Sequence, residues 1–421
     1  MIDLPESAEL PTIPLRRHRV YQAVIWSQTC TDTCEQFLIM AITWAALHEF
    51  GSARLGLVLA AWAIPRGVLL LFGGVLVDRS DKRSLTAVVG CLLCALTVLA
   101  AVVTSSGNFY AWISVAIGLG VLDAVRLPVS ATMLPSYLNP LQLVNANRWN
   151  GMREWATLAA GPAVGGGLVA AIGTYRTLLV SAALYLISAA LMVLVPAVRA
   201  PSEEERGSVL ADLRGGLRYV MRDVQLRVLL PGFALANLFV LGLMAVAVPV
   251  FAKNVLHSGP QGLGALSASL GVGLVVGTLG CSRLPERWKT SQRQIFLLFM
   301  VSDLMLGAVG VMPNLATGCA AYLLSGLFAG PAATFYRTLL QTIPPANYLG
   351  RVNSIARATS FGLEPISVSM VGGLTARLSA RTILVAGGLI AAAVDFTGSA
   401  LSTRAGADVE ISDADAAVAG P

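Results

Sequence analysis

The chain has 421 residues, of which 56% are hydrophobic and 12% are charged. An average soluble domain carries roughly 25% charged residues, so a water-soluble fold is excluded, because it has no way to cover this much apolar surface. The formal net charge of +6 does not indicate nucleic-acid binding, since the basic residues lie in short connections between apolar stretches.

Twelve apolar stretches follow one another along the chain, each long enough for a helix of about twenty residues that crosses a bilayer. They form two groups of six, separated by one polar segment. The predicted spans are residues 20–46, 55–77, 84–104, 109–132, 149–172 and 175–196, then 224–252, 261–283, 293–313, 316–341, 352–376 and 381–402. The predicted fold class is an all-α polytopic membrane protein made of two six-helix bundles.

The polar segment at 197–223 contains three consecutive glutamates and five arginines. This composition predicts a cytoplasmic linker that includes an amphipathic surface helix. The chain therefore divides into an N-terminal bundle (1–196), the linker (197–223), a C-terminal bundle (224–403) and an acidic tail (404–421), which we expect to be disordered.

The two groups of spans carry a faint internal repeat. A shift of 205 residues superimposes residues 176–180 (RTLLV) on 381–385 (RTILV), and Pro140 on Pro345. Each match falls at the same point in the span count, which indicates that the two bundles are duplicates.

Basic residues concentrate in alternate connections, which predicts the orientation in the membrane. The connections expected on the cytoplasmic side hold Arg16, Arg17, Arg19, Arg79, Lys82, Arg83, Arg283, Arg287 and Lys289. With an even number of spans, both termini are then cytoplasmic.

The cysteines and histidines do not suggest bound metal. The six cysteines lie in or at the edge of apolar stretches, where cysteine behaves as a small hydrophobe, and the three histidines are scattered near helix ends. We expect no metal site, no disulfide framework and no cofactor.

Ten residues between spans 2 and 3 resemble the signature of the major facilitator superfamily. In that signature a glycine (Gly74) is followed four residues later by an acid (Asp78) and then by a basic cluster (Arg79, Lys82, Arg83). The resemblance implies the major facilitator fold and a gate on the cytoplasmic side, closed by an ion pair between the acid and the basic cluster. The alternative is that the basic residues only anchor the loop at the cytoplasmic surface.

Span 5 contains a second motif, made of Gly161, Pro162, Gly165 and Gly166. It is similar to part of a motif found in drug/proton antiporters of the same superfamily, which implies export. Thr157 stands where that motif has a further glycine. The alternative is that these small residues serve only close helix packing.

Further likeness to the enterobactin-exporter branch of the superfamily includes acids at the positions of Glu35, Asp123 and Glu364. A charge at mid-bilayer costs about 2.5–3.5 kcal/mol on insertion scales, so each is a functional candidate. The full set of candidates for proton coupling or for the substrate cavity is Glu35, Asp123, Asp32, Arg126, Glu364 and Arg66.

Helical spacing pairs four of these candidates. Asp32 and Glu35 lie three residues apart on one helix, so they share a face, and repulsion between the two carboxylates favours uptake of a proton by at least one of them. Asp123 and Arg126 have the same spacing, which permits an ion pair. The alternative for this pair is charge neutralisation that merely permits insertion, with Arg126 extending to the surface.

These observations predict a proton-coupled exporter of an amphiphilic small molecule, either a drug or a siderophore, that works by alternating access. One alternative is a lipid or lysophospholipid flippase, in which Arg66 and Arg126 would bind an anionic headgroup; another is a membrane sensor without transport. We expect no enzyme activity and no nucleic-acid partner. The predicted protein is a monomer in the plasma membrane, and its partners are the substrate, protons and the bilayer.

Overall fold

The computed structural model describes residues 15–78, 81–104, 106–134, 137–138, 140–196, 209–285, 288, 291–345 and 348–418. Every regular element in these ranges is helical. The N-terminal half opens with a 3-10 turn at Leu15–Arg17. Its helices are α1 (Arg19–Glu49), α2 (Gly51–Asp78), α3 (Lys82–Thr104), α4 (Phe109–Met133) and α5 (Pro140–Val193).

Helix α5 contains both of the last two spans of this half. It is interrupted at Gly173, where φ is 81° and ψ is 164°. A side chain would strongly disfavour this positive φ, so glycine permits the bend. We refer to residues 140–172 as the first limb of α5 and to residues 174–193 as its second limb.

The remaining chain forms the linker helix α6 (Val209–Arg222) and the C-terminal half. Span 7 is α7 (Val224–Gly242), one π-helical turn (Leu243–Ala247) and α8 (Val248–Asn254). The other helices are α9 (Pro260–Gly280), α10 (Gln292–Val309), α11 (Leu315–Thr342), α12 (Leu349–Gly362), α13 (Glu364–Leu374) and α14 (Ala380–Val418); a 3-10 turn at Cys281–Arg283 follows α9.

The helices match the predicted spans closely. Among the described residues, nine helices are individually long and apolar enough to cross a membrane, and one of these is α5, which holds two spans. Helix α1 also has the length of a span but carries two internal acids, and span 11 is divided into α12 and α13, neither of which is long enough alone. Counted in this way, the helices give the expected twelve spans.

The tail differs from expectation. The chain predicted to be disordered from residue 404 continues α14 as helix to Val418. Five alanines lie between residues 405 and 417 inclusive, and alanine favours helix formation. The division into two bundles and a linker stays a prediction.

The two ends of the molecule differ in how the halves meet. We call the end where α1 begins and α6 lies the linker face, and the other end the opposite face. Near the opposite face, α2 meets α13 so closely that a β-carbon on Gly56 would lie 2.8 Å from Gly372 Cα; α5 and α9 meet in the same way at Gly166 and Gly264.

The buried side chains also differ between the opposite face and the linker face. One cluster extends through both halves from mid-depth to the opposite face and includes Leu38, Leu55, Phe251 and Val371. At the linker face the buried side chains instead form two separate clusters, one in each half. Lys253 also joins the halves at the opposite face, because its Nζ donates to the Leu47 carbonyl at 3.0 Å. The halves are therefore packed together at the opposite face.

Candidate functional site

Four of the predicted charged residues meet at mid-depth in the N-terminal half. Asp32 and Glu35 project from α1, and Asp123 and Arg126 project from α4. The three-residue spacing places each pair on one face of its helix, and the two faces point at each other. The network thus formed centres on Arg126, which is 8% exposed.

Arg126 contacts all three acids. Its Nε donates to Asp123 Oδ1 at 3.0 Å, and its Nη2 donates to Glu35 Oε2 at 2.8 Å. The distance from its Nη1 to Asp32 Oδ1 is longer, at 3.8 Å. A buried guanidinium is stable only when its charge and its donors are satisfied, so these contacts are what keep Arg126 inside the bundle.

The structure adds residues to this network that the sequence analysis did not include. Arg153, on the first limb of α5, donates from Nη1 to Asp32 Oδ2 at 2.6 Å and also contacts Asn150 Oδ1. Trp62, on α2, donates from Nε1 to Asp123 Oδ2 at 2.8 Å. Arg153 was detectable, because it is a charge inside a predicted span; Trp62 carries no such signal.

The network has an unequal number of charges. Three carboxylates (Asp32, Glu35, Asp123) face two guanidiniums (Arg126, Arg153) when all are ionised. The surplus is one negative charge in a region of low dielectric. One proton or one cationic group would balance it.

The other two predicted residues form a separate ion pair. Arg66 on α2 donates from Nη2 to Glu364 Oε2 on α13, so this pair joins the two halves. Span 11 is broken at Leu363, and Pro365 follows in the first turn of α13. Proline lacks the N–H needed to continue α12, and the helix N-terminus that results is a favourable place for the Glu364 carboxylate.

A cavity lies between the halves beside this ion pair. We call it the central cavity. Trp62 and Arg66 line it from the N-terminal half, and Met244, Ser267 and Glu364 line it from the C-terminal half. The π-helical turn that contains Met244 precedes Pro249, whose missing N–H removes one regular helical hydrogen bond. Trp62 lines the central cavity and also donates to Asp123, so the cavity and the charge network meet at this residue.

The C-terminal half contains its own acidic pair, which is of a different kind. Asp303 on α10 and Asp395 on α14 are 5% and 1% exposed and lie next to each other. None of the ion pairs among the described residues includes either of them. They lie on neighbouring helices and are absent from the lining of the central cavity.

The predicted gating residues lie at the linker face. Gly74 and Asp78 belong to the last turns of α2, and Arg79 and the Asp78 side chain lie outside the described residues, so their ion pair stays a prediction. Lys82 begins α3. Arg83 donates from Nη2 to the Val193 carbonyl at 3.1 Å, which ties the start of α3 to the end of α5.

The span-5 motif lies where α5 packs against two neighbours. A β-carbon on Gly161 would lie 2.6 Å from Gln36 Cγ of α1, and one on Gly165 would lie 3.2 Å from the Phe37 ring. On the other side, Pro162 and Gly166 contact Gly264 of α9 in the C-terminal half. The motif therefore provides close packing within the N-terminal half and across the two halves.

The sequence profile of the Major Facilitator Superfamily matches residues 24–367. The chain belongs to this superfamily. Solved transporters share its fold. A bacterial homologue of the human lysosomal transporter Spinster, in an inward-facing conformation, superposes with a TM-score of 0.70 at 14% identity, over 93% of this chain and 98% of that one. For an inward-facing bacterial homologue of ferroportin, the TM-score is 0.68 at 17% identity, over 90% and 98% of the two chains.

Curated relatives of this transporter include efflux proteins. It is 25% identical over 350 residues to the multidrug efflux pump Tap of Mycolicibacterium fortuitum, which covers 80% of this chain and 84% of Tap. It is 24% identical over 322 residues to the enterobactin exporter EntS of Escherichia coli O139:H28, which covers 74% of each chain. The predicted superfamily and fold are therefore confirmed, and the chain is a multi-pass membrane transporter.

Proposed function

We propose that this transporter exports an amphiphilic small molecule, of drug or siderophore type, in exchange for protons. The observation that carries the proposal is the surplus carboxylate in the Arg126 network, which lies at mid-depth beside the central cavity. A group that takes up a proton at this place, and loses it when substrate arrives, couples the two movements.

The exchange follows from competition for the acids. When Glu35 or Asp123 takes up a proton, Arg126 loses one of its ion pairs. The network that joins α1 and α4 is then weaker, and the two helices can shift. A cationic substrate in the central cavity favours the ionised acids and so favours release of the proton. Binding of the substrate and binding of the proton therefore oppose each other, which is what exchange requires.

The ion pair between Arg66 and Glu364 joins this chemistry to the rocking of the halves. It lies in the wall of the central cavity, so a substrate there competes with it directly. Breaking it removes one of the polar contacts between the halves. Alternating access then proceeds by rotation about the glycine contacts of α2 with α13 and of α5 with α9.

The relatives support export, since one is a multidrug efflux pump and another an enterobactin exporter. The basic residues at the linker face favour the cytoplasm as the compartment on that side, with both termini there. In this orientation the central cavity would load from the cytoplasm. We infer that the protein acts as a monomer, because the described site lies within one chain.

A lipid or lysophospholipid flippase is the less favoured alternative. It would require free cationic groups for an anionic headgroup. Arg66 and Arg126 both engage carboxylates, so a headgroup would have to displace an ion pair before binding. The same contacts favour a substrate that is cationic or neutral.

The proposal is tested with energised inside-out membrane vesicles whose interior is acidic. Candidate siderophores and cationic drugs are added singly while a dye reports the internal pH. We expect an active compound to raise the internal pH, because protons leave as it enters. Asp123→Asn should abolish the response, and Asp303→Asn, the same change at a buried acid outside the network, should retain it. Loss of the response in both variants, or in neither, contradicts the proposed role of the network.

A further inference from the structure

A second cavity lies inside the N-terminal bundle. We call it the N-bundle cavity. It is enclosed by α1, α3, α4 and the second limb of α5, so it belongs to one half only. Asp32 and Arg126 line its inner end, whereas Trp62, Arg66 and Glu364 line the central cavity. The charge network therefore forms the partition between two cavities.

The partition has a different chemical face on each side. Asp123 accepts from Trp62 on the side of the central cavity and from Arg126 on the side of the N-bundle cavity. Asp32 lines the N-bundle cavity and is absent from the lining of the central cavity. The side chain of Asp32 is 29% exposed, the largest exposed fraction among the acids of the network.

Hydroxyl groups and Asp32 line the same wall of the N-bundle cavity. Ser188 Oγ on the second limb of α5 lies 2.7 Å from Thr31 Oγ1 and 2.8 Å from Ser27 Oγ, both on α1. Gln28 donates to the Ser130 carbonyl at 3.1 Å, and its Oε1 is buried without a partner among the described residues. A hydroxyl both donates and accepts, so hydroxyls in series relay a proton.

The end of the cavity towards the linker face is apolar. Val24, Met133 and Met192 line it there and are at most 2% exposed. They also belong to the buried cluster that the N-terminal half forms at the linker face. Three apolar side chains at the end of a hydroxyl-lined cavity hinder the passage of water and protons in this conformation.

We propose that protons pass between the network and the linker face through the N-bundle cavity, while substrate uses the central cavity. Asp32 gives its proton to Thr31 or to water in the cavity. Each hydroxyl accepts one proton and donates another, and water beyond the apolar end accepts the last one. Asp32 ends as a carboxylate, and the hydroxyls end as they began. The other ionisable groups facing this route are Arg126, Tyr185 and, behind Asp32, Arg153.

This inference rests on the proposed proton coupling and adds a consequence to it. If both ligands shared the central cavity, a bound substrate would block release of the proton. With the N-bundle cavity for protons and the central cavity for substrate, a bound substrate does not block release of the proton. The proton can then leave while the substrate is still in place.

The test uses the full-length protein in liposomes with ethidium as the probe. Proton-driven ethidium transport is compared with exchange of ethidium for ethidium, which requires no net proton movement. We expect Thr31→Val with Ser188→Ala to reduce proton-driven transport by about tenfold or more, while exchange stays within about twofold of wild type.

A matched control removes two hydroxyls from the same limb of α5, away from the cavity. Thr177 and Ser181 are fully buried, and each donates to a carbonyl of its own helix. Thr177→Val with Ser181→Ala should leave both kinds of transport unchanged. If the Thr31 and Ser188 variant retains both activities, the proton uses another route; if it loses both, the hydroxyls serve folding or the conformational cycle. Either result overturns the inference.

A second variant tests the apolar end without relying on any substrate. Met192→Ser places a hydroxyl there, and we expect a several-fold higher proton leak in liposomes without ethidium. An unchanged leak contradicts the route. Failure of the proposed coupling itself is recognised separately, because wild-type protein would then exchange ethidium but show no proton-driven transport.

Discussion

The two halves of this transporter bury their acids in different ways. In the N-terminal half, three carboxylates surround Arg126 and Arg153 beside two cavities. In the C-terminal half, Asp303 and Asp395 are buried together between α10 and α14, and no ion pair among the described residues includes them.

An acid inside a membrane protein can either exchange a proton or form a fixed contact between helices. An acid that must exchange its proton needs access to water and a cation that stabilises the ionised form. The network in the N-terminal half meets both requirements. The pair in the C-terminal half is enclosed and has no cation among the described residues, which fits a fixed contact between helices. The two halves would then differ in function.

The largest expected effect is on stability in the N-terminal half. Arg126→Met leaves three buried acids without their shared partner, which should cost about 3–5 kcal/mol of stability and abolish transport. Replacing both Asp303 and Asp395 by Leu removes two buried polar groups together, so the cost should be about 1 kcal/mol or less. Thermal unfolding of the purified variants in detergent measures both. A larger loss in the double variant would reverse the comparison.

The next largest effect concerns the contact between the halves. Arg66→Glu or Glu364→Arg alone places two like charges in the wall of the central cavity, and we expect about a tenfold loss of transport, equivalent to about 1.4 kcal/mol. The double variant, in which the charges are exchanged, should recover to within about threefold of wild type. Transport assays of all three variants provide the comparison. Absence of recovery would mean that the two residues act independently.

A smaller effect is expected at the linker face. Arg83→Ala removes the hydrogen bond to the Val193 carbonyl, which is exposed, so the transport rate should fall only about two- to fivefold. Arg377→Ala, at an exposed arginine near the opposite face of the C-terminal half, is the matched control and should be silent. A wild-type rate for Arg83→Ala would argue against a gating role for this residue.

The smallest effect is expected from the acidic tail. Removal of residues 404–421 should leave transport within about twofold of wild type, because a terminal segment rich in acids and alanines contributes little to a membrane core. Expression and transport of the truncated chain test this. A severe loss would assign the extended part of α14 a role in assembly.

The spans were predictable because hydropathy over about twenty residues is a strong signal, and α3, α4 and α9 begin and end within three residues of their predicted bounds. The facing pairs on α1 and α4 were predictable from helical spacing. The partners of those pairs were not, because Trp62 and Arg153 reach Asp123 and Asp32 through the packing of helices that are distant in sequence. Likewise, residue 404 lies at the end of the apolar stretch, and hydropathy does not tell whether a polar helix continues beyond it.

The contact between Lys253 and Leu47 at the opposite face has an evolutionary consequence. Its acceptor is a main-chain carbonyl, which every amino acid supplies, so mutation of Leu47 leaves the acceptor group in the chain. Selection can therefore adjust this link between the halves chiefly through codon 253. In a collection of variants chosen for altered opening of the opposite face, changes that break this contact should accumulate at position 253, while changes at the buried Leu47 should act through packing.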